Sequence, residues 1–368
     1  MSTKFTPATL MLSDGTVFAG EAYGAIGEIF GEAIFDTGMG AYQEMLTDPG
    51  HHGHIVVATA PHTGNTGWND EDAQNPAGRV WAAGYAVRDP SPRPSNWRSL
   101  RCLDDVLADQ GVVGIKGIDT RALTIHLRRH GIMVAGISSL QTTPADLLAR
   151  VVASPRPADL VGDVTTPAPY TLKAVGPQRF SVVAIDYGLT LGVVNELAAR
   201  GMTVKVLPAG ATLDDVTAAG PDGVLIAGGP GDPADVDTTL TNGLLDAGLP
   251  VFGIGLGAAV LARALGLNTL KLSAGHHGVN QPVRRFADGK IAITAHNHDY
   301  TIDAPPAGSS VEVTHVGVND GTIEGIALVR DGTTAAFGVL FNPAFGPHDT
   351  ETLFDEFATM MQTGRKHA

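Results

Sequence analysis

From Phe180 onward the chain repeats one pattern, a short unbroken apolar run followed by a helical stretch and then another apolar run. FSVVAID reads as a strand, LGVVNELAAR as a helix closed by Gly201, MTVKVLP as a second strand and LDDVTAAG as another helix. GVLIAGG and LPVFGIG supply two more strands with a helix between them. Strands that are apolar on both sides need cover on both sides, so this half is constrained to an α/β architecture, a mostly parallel sheet flanked by helices. Ligands meet such sheets beyond the carboxyl ends of the strands, which puts the loops after Ala227 and Ile254 first in the search for chemistry.

The first half reads differently. Runs such as TLMLSDGTVFAG and HIVVATA alternate with Gly-rich turns, and a helix is expected from Thr120 to His130, stopped by Gly131. That predicts a mixed, β-rich domain. Between them, Ser154 to Gln178 holds five prolines and little periodicity, the composition of a connector running over a surface. With 368 residues to place, we expect a first domain over 1–153, a linker over 154–178 and a second domain over 179–368.

The formal charge of −14 repels phosphate backbones and anionic lipid, which argues against nucleic-acid and membrane partners. Met1 to Leu12 has no leader-like apolar run, and no stretch approaches a bilayer-spanning length, so a cytoplasmic location is expected. Cys102 is the single cysteine, which precludes an internal disulfide and leaves one thiol for any chemistry. It lies in SLRCLDDVLADQG, expected on a helix, where a lone cysteine is more often packed than reactive.

Two loops invite functional readings. Gly228-Gly229-Pro230-Gly231-Asp232-Pro233 follows a strand and would let bare N–H groups approach an oxyanion, although such a cluster alone is usually a tight turn. Gly253-Ile254-Gly255-Leu256-Gly257-Ala258 satisfies the dinucleotide fingerprint in form. A dinucleotide site needs an acid about 20 residues on to hold the ribose, and no Asp or Glu occurs between Leu249 and Ala287. The dinucleotide reading therefore fails.

The order of blocks DGTVFAG, FDTGMGAYQEMLTDPG, GNTGWNDED, GIDTRALTIHLRRHG, GGPGDP, AGHHGVNQPV, HNHDY and GPHD, from Asp14 to Asp349, resembles the small subunit of carbamoyl-phosphate synthetase, a class I glutamine amidotransferase family. The resemblance implies an N-terminal small-subunit domain that docks on a large subunit and a C-terminal amidotransferase-like domain. It also implies carbamoyl phosphate formation from bicarbonate, ATP and a nitrogen donor for arginine and pyrimidine synthesis. ATP and divalent metal would sit on the large subunit, with no cofactor on this chain.

The departures fall where the family keeps its triad. Its elbow reads G-[IV]-C-x-G-[HN]-Q, and GIGLGAA here puts Gly255 in place of the nucleophile; its H-P-E corresponds to Asn342-Pro343-Ala344. Glutamine hydrolysis starts with a thiolate assisted by an imidazole, and none of glycine, carboxamide or methyl supplies either group. The glutaminase is therefore expected to be inactive, with no catalytic residue on this chain.

By the same resemblance the substrate cradle maps to Gly50, Gly229, Gly231, Leu256, Ala259, Asn297, Asp299 and Tyr300. Ala259 replaces the family's elbow glutamine, Ala258 the residue before it, Gly50 a serine and Asp299 a glycine, the last adding a negative charge where the substrate carboxylate would lie. The chain is then a scaffold or allosteric subunit whose complex uses ammonia, its old pocket holding at most L-glutamine or another small molecule. Two other readings stand beside it: a working glutaminase with a rescued site, and a stand-alone binding or sensing protein.

Histidines at 51, 52 and 54, at 276 and 277, and at 296 and 298 raise a metal reading. No Cys pair or HExxH spacing accompanies them, and the resemblance makes GHHG and the N-H segment structural, so no metal is expected. Arg93 to Arg101 reads as a solvated face or a contact for an acidic partner.

Overall fold

The computed structural model describes residues 6–155 and 157–367, so Met1 to Phe5 of the stretch read for a leader, and Arg156 of the expected connector, lie outside the described residues. The chain divides into two compact units. One comprises 1–158 together with 273–277, and the other 159–272 together with 278–368.

In the first unit seven strands close a barrel, among them Pro7–Leu12, Val17–Gly24, Glu28–Asp36, His54–Ala58 and Met133–Ser138. Its pairings are mixed, antiparallel between Pro7–Leu12 and Val17–Gly24 and parallel between Glu28–Asp36 and His54–Ala58. Leu10, Leu12, Ala33, Ile55, Val57, Ile115 and Ile137 are buried in one cluster, and closure leaves no open edge to template aggregation. The helix Thr120–His130 forms as expected, with the Asp119 carboxylate accepting from the Ala122 N–H and Gly131 at φ 90° ending it. Cys102 is the residue before the helix Leu103–Asp109 and not within it. The expectation erred because the helix starts at the first apolar residue that packs inward, Leu103, which is 2% exposed.

The second unit is built on a ten-stranded sheet. Met202–Pro208, Phe180–Asp186, Gly223–Ile226, Val251–Ile254 and Thr333–Val339 lie side by side in that order, all parallel. Beyond Thr333–Val339 the sheet turns antiparallel through Ile323–Arg330, Val311–Gly317 and the long strand Thr269–Arg285, and ends at Ile291–Ile302. The stretch expected to be only a connector contributes a short helix, Leu160–Val164, and the edge strand Tyr170–Leu172, which pairs with Met202–Pro208. Two clusters of buried residues cover the parallel strands, one including Val193, Leu197, Phe252, Phe354 and Phe357, the other Ile185, Ile226, Val260 and Leu261. The apolar runs predicted this double burial, which fixes the loops at the strand ends on a stiff base.

Candidate functional site

The strand Val251–Ile254 is wholly buried and gives way in one residue to the helix Leu256–Ala264. Gly255 makes that turn at φ 54° and ψ −119°, a region that residues with a Cβ enter only under strain. Its N–H donates to the Val339 carbonyl at 2.8 Å, and the N–H of Gly257 donates to that of Ala227 at 3.1 Å, so the turn is clamped to the neighbouring strand ends. This is the sharp strand-to-helix geometry of a nucleophile elbow. A Cβ on Gly255 would lie 3.4 Å from Gly228 Cα and 3.8 Å from the Leu340 carbonyl oxygen, ordinary contacts. The turn therefore leaves room for a side chain at this position.

Asn342 follows the strand Thr333–Val339. Its N–H donates to the Ala295 carbonyl at 2.8 Å, its Oδ1 accepts from the Ala344 N–H at 3.0 Å, and its Nδ2 lies 3.4 Å from Thr190 Oγ1. The carboxamide thus works as a local turn cap. Ala344 packs half-buried against the core. Neither group exchanges a proton near neutral pH, and neither orients one that does.

The loop expected to cradle an oxyanion runs beside the elbow. Gly229 approaches Tyr187 so closely that a Cβ would sit 1.9 Å from the Tyr187 carbonyl oxygen, so only glycine allows the loop to pass there. Asp186 holds the Tyr187 loop, accepting from the N–H groups of Gly188 at 2.9 Å and Leu189 at 2.7 Å, and burial raises its carboxyl pKa above the usual range. Gly231 follows at φ 102° on the exposed rim. Leu256 opens the helix, so its N–H is one of the first four that the helix itself cannot pair. Ala258 and Ala259, 0% and 2% exposed, pack inward and offer the site no polar atom.

Asn297, Asp299 and Tyr300 lie half-buried on Ile291–Ile302. The Tyr300 hydroxyl donates to Asp232 Oδ2 at 2.7 Å, which ties this strand to the Gly-rich loop. The second unit thereby gathers Gly229, Gly231, Gly255, Leu256, Ala259, Asn342 and Ala344 at the ends of adjoining strands, with Tyr300 joined to that loop through Asp232. Gly50 belongs to the first unit, in the 3-10 turn Pro49–His51, where its N–H donates to Asp48 Oδ1 at 2.8 Å.

The sequence singled out His296 and His298 but not the carboxylate that joins them. His296 Nδ1 lies 2.9 Å from His298 Nε2, and Glu324 Oε2 lies 3.6 Å from the first and 3.2 Å from the second. Glu324 sits on Ile323–Arg330, a separate strand, so no local spacing announces it.

Residues 10–137 match the family described as carbamoyl-phosphate synthase small chain, CPSase domain, and residues 183–360 match glutamine amidotransferase class-I. The carbamoyl phosphate synthase small chain of Streptomyces coelicolor is 50% identical, over 98% of this chain and 97% of that protein. That of Mycobacterium tuberculosis is 49% identical, over 96% of this chain and 98% of that protein.

Proposed function

The chain belongs to the carbamoyl-phosphate synthase small-chain family, with a class I glutamine amidotransferase domain, and from that premise we propose that it serves as a subunit that no longer hydrolyses glutamine. The observation that carries this reading is Gly255 at the centre of an intact elbow, with Asn342 and Ala344 where the family keeps its base and orienting carboxylate. An acyl transfer through a thioester needs a sulfur at that position, and the remaining hydrogen-bond donors of the cradle act only on an intermediate that nothing here can form. Removing a nucleophile alone costs on the order of 10⁶ in turnover in a comparable hydrolase, so the other two replacements add little.

The partner in this reading is the large subunit, which binds ATP, bicarbonate and divalent metal in the cytoplasm and receives free ammonia. Carbamoyl phosphate would then pass to arginine and pyrimidine synthesis. This chain would contribute scaffold and allosteric contacts, docking through its N-terminal domain.

The test is a pulldown with the large subunit followed by paired assays of ATP turnover with glutamine and with ammonia. We expect copurification, turnover with ammonia, and none above background with glutamine. Equal rates with the two donors would overturn the reading, and failure to copurify would move it to a stand-alone binding protein.

A further inference from the structure

We propose that His296, His298 and Glu324 form a binding site for one divalent transition-metal ion, zinc being the best match. The three side chains are 1%, 6% and 0% exposed, so water does little to screen them. Their nearest donor atoms, His296 Nδ1, His298 Nε2 and Glu324 Oε2, are separated by 2.9, 3.2 and 3.6 Å. Ligands about 2.0–2.1 Å from a tetrahedral zinc lie about 3.3–3.4 Å from one another, close to the mean of this triangle.

The outer hydrogen bonds decide which nitrogens carry protons. His298 Nδ1 lies 2.9 Å from the Tyr300 carbonyl oxygen, which only accepts, so Nδ1 is the protonated nitrogen and Nε2 holds the lone pair. Thr294 Oγ1 donates its one hydrogen to the Gln281 carbonyl at 2.8 Å, so it accepts from His296 Nε2 at 2.7 Å and leaves the lone pair on Nδ1. In their neutral form the two rings thus turn lone pairs toward each other and toward a carboxylate oxygen. Without a positive charge between them that arrangement is repulsive. A cation there converts all three contacts to attraction, and the Thr294 and Tyr300 partners become the outer shell that orients metal-bound imidazoles.

Two nitrogens and a carboxylate oxygen suit a borderline ion such as zinc over calcium or magnesium, which prefer oxygen alone. The ion would bind Ile291–Ile302 to Ile323–Arg330, which already meet where Thr301 Oγ1 donates to the Ile323 carbonyl at 2.9 Å. It would also fix the Ala295 carbonyl that holds Asn342. The competing solution is one extra proton, giving a buried imidazolium beside Glu324.

The experiment uses the full-length, tag-free chain, stripped with chelator and titrated with zinc(II), then with cobalt(II) as the visible probe. We expect one equivalent bound and the intense visible bands of tetrahedral cobalt. Glu324→Gln, close in shape, should weaken binding at least 100-fold, and Thr294→Val by about 10–100-fold through loss of the outer-shell contact. Zinc should raise the unfolding temperature of the parent chain and leave that of Glu324→Gln unchanged. Should the Glu324 variant fail to fold, Thr294→Val and the cobalt spectrum of the parent carry the decision. The proposal is overturned if the parent chain takes up no more zinc than the variants, if bound cobalt gives only weak octahedral bands, or if nitrogen NMR of the metal-free chain finds a proton shared by the two rings that zinc fails to displace.

Discussion

Gly255 makes the whole strand-to-helix turn in one residue. Its φ of 54° and ψ of −119° are tolerated by glycine and strained for anything else, so Gly255→Ala should lower stability by about 1–3 kcal/mol, read by denaturant unfolding. Gly255→Cys should carry the same cost, since its Cβ meets Gly228 and Leu340 only at ordinary contact distances. That cysteine should react with an alkylating reagent yet release no glutamate from glutamine, because Asn342 supplies no base. Adding Asn342→His and Ala344→Glu should raise glutamate release on the order of 10³-fold over the single variant, since nucleophile and base act as a unit. If the single variant matched the triple one, the base would have to come from elsewhere. The elbow turn was legible because it is local in sequence. Tyr300 bound to Asp232, and Glu324 beside two histidines, were not, because strand pairing and not spacing brings them together.

The same division holds for elements. FSVVAID, MTVKVLP, GVLI and VFGI were readable as strands because burial on both faces leaves unbroken apolar runs, and the Asp119 cap with Gly131 announced Thr120–His130. The closed barrel was not readable beyond its β content, since its strands close through pairings distant in sequence, such as Pro7–Leu12 with Met133–Ser138. Tyr170–Leu172 escaped notice because three residues at a sheet edge need no hydrophobic pattern. One strand carries a consequence for pH. His315, on Val311–Gly317, is buried, and desolvation, aided by the positive charge of Arg285, lowers its pKa to about 4. The unfolded chain takes up this proton near pH 6.5 and the folded chain only near pH 4, so stability is full above about 6.5 and is lost as pH falls toward 4. At about 1.4 kcal/mol per pH unit this amounts to roughly 3 kcal/mol. Denaturant unfolding at both ends of that window should show a parent chain more acid-sensitive than His315→Gln by about this amount, and equal slopes would remove His315 as the cause.

At the scale of the whole molecule the chain visits its first unit twice, once over 1–158 and again for the five residues Ser273–His277 inside a long strand. Composition marks a boundary where the chain leaves the first unit for the second but has no means of marking so short a return. The return is built in by hydrogen bonds: the His277 carbonyl accepts from Thr37 Oγ1 at 3.0 Å and from the Thr37 N–H at 3.2 Å, and the Ser273 carbonyl accepts from the Ile132 N–H at 2.8 Å. The His277 ring is 2% exposed and lies 5.9 Å from the rings of both His51 and His54. A fragment of residues 1–158 loses all of this. At about 1 kcal/mol for each hydrogen bond it should be roughly 3 kcal/mol less stable than the same residues in the intact chain, before the lost packing is counted. Trp68, Trp81 and Trp97 are the only tryptophans and all belong to this unit, so fluorescence reports its unfolding in either context. A synthetic peptide covering residues 269–281 should bind the fragment and move its unfolding midpoint back toward that of the full chain. A fragment already as stable as the full chain, and indifferent to the peptide, would mean that the barrel stands alone and that the returning strand only rests on it.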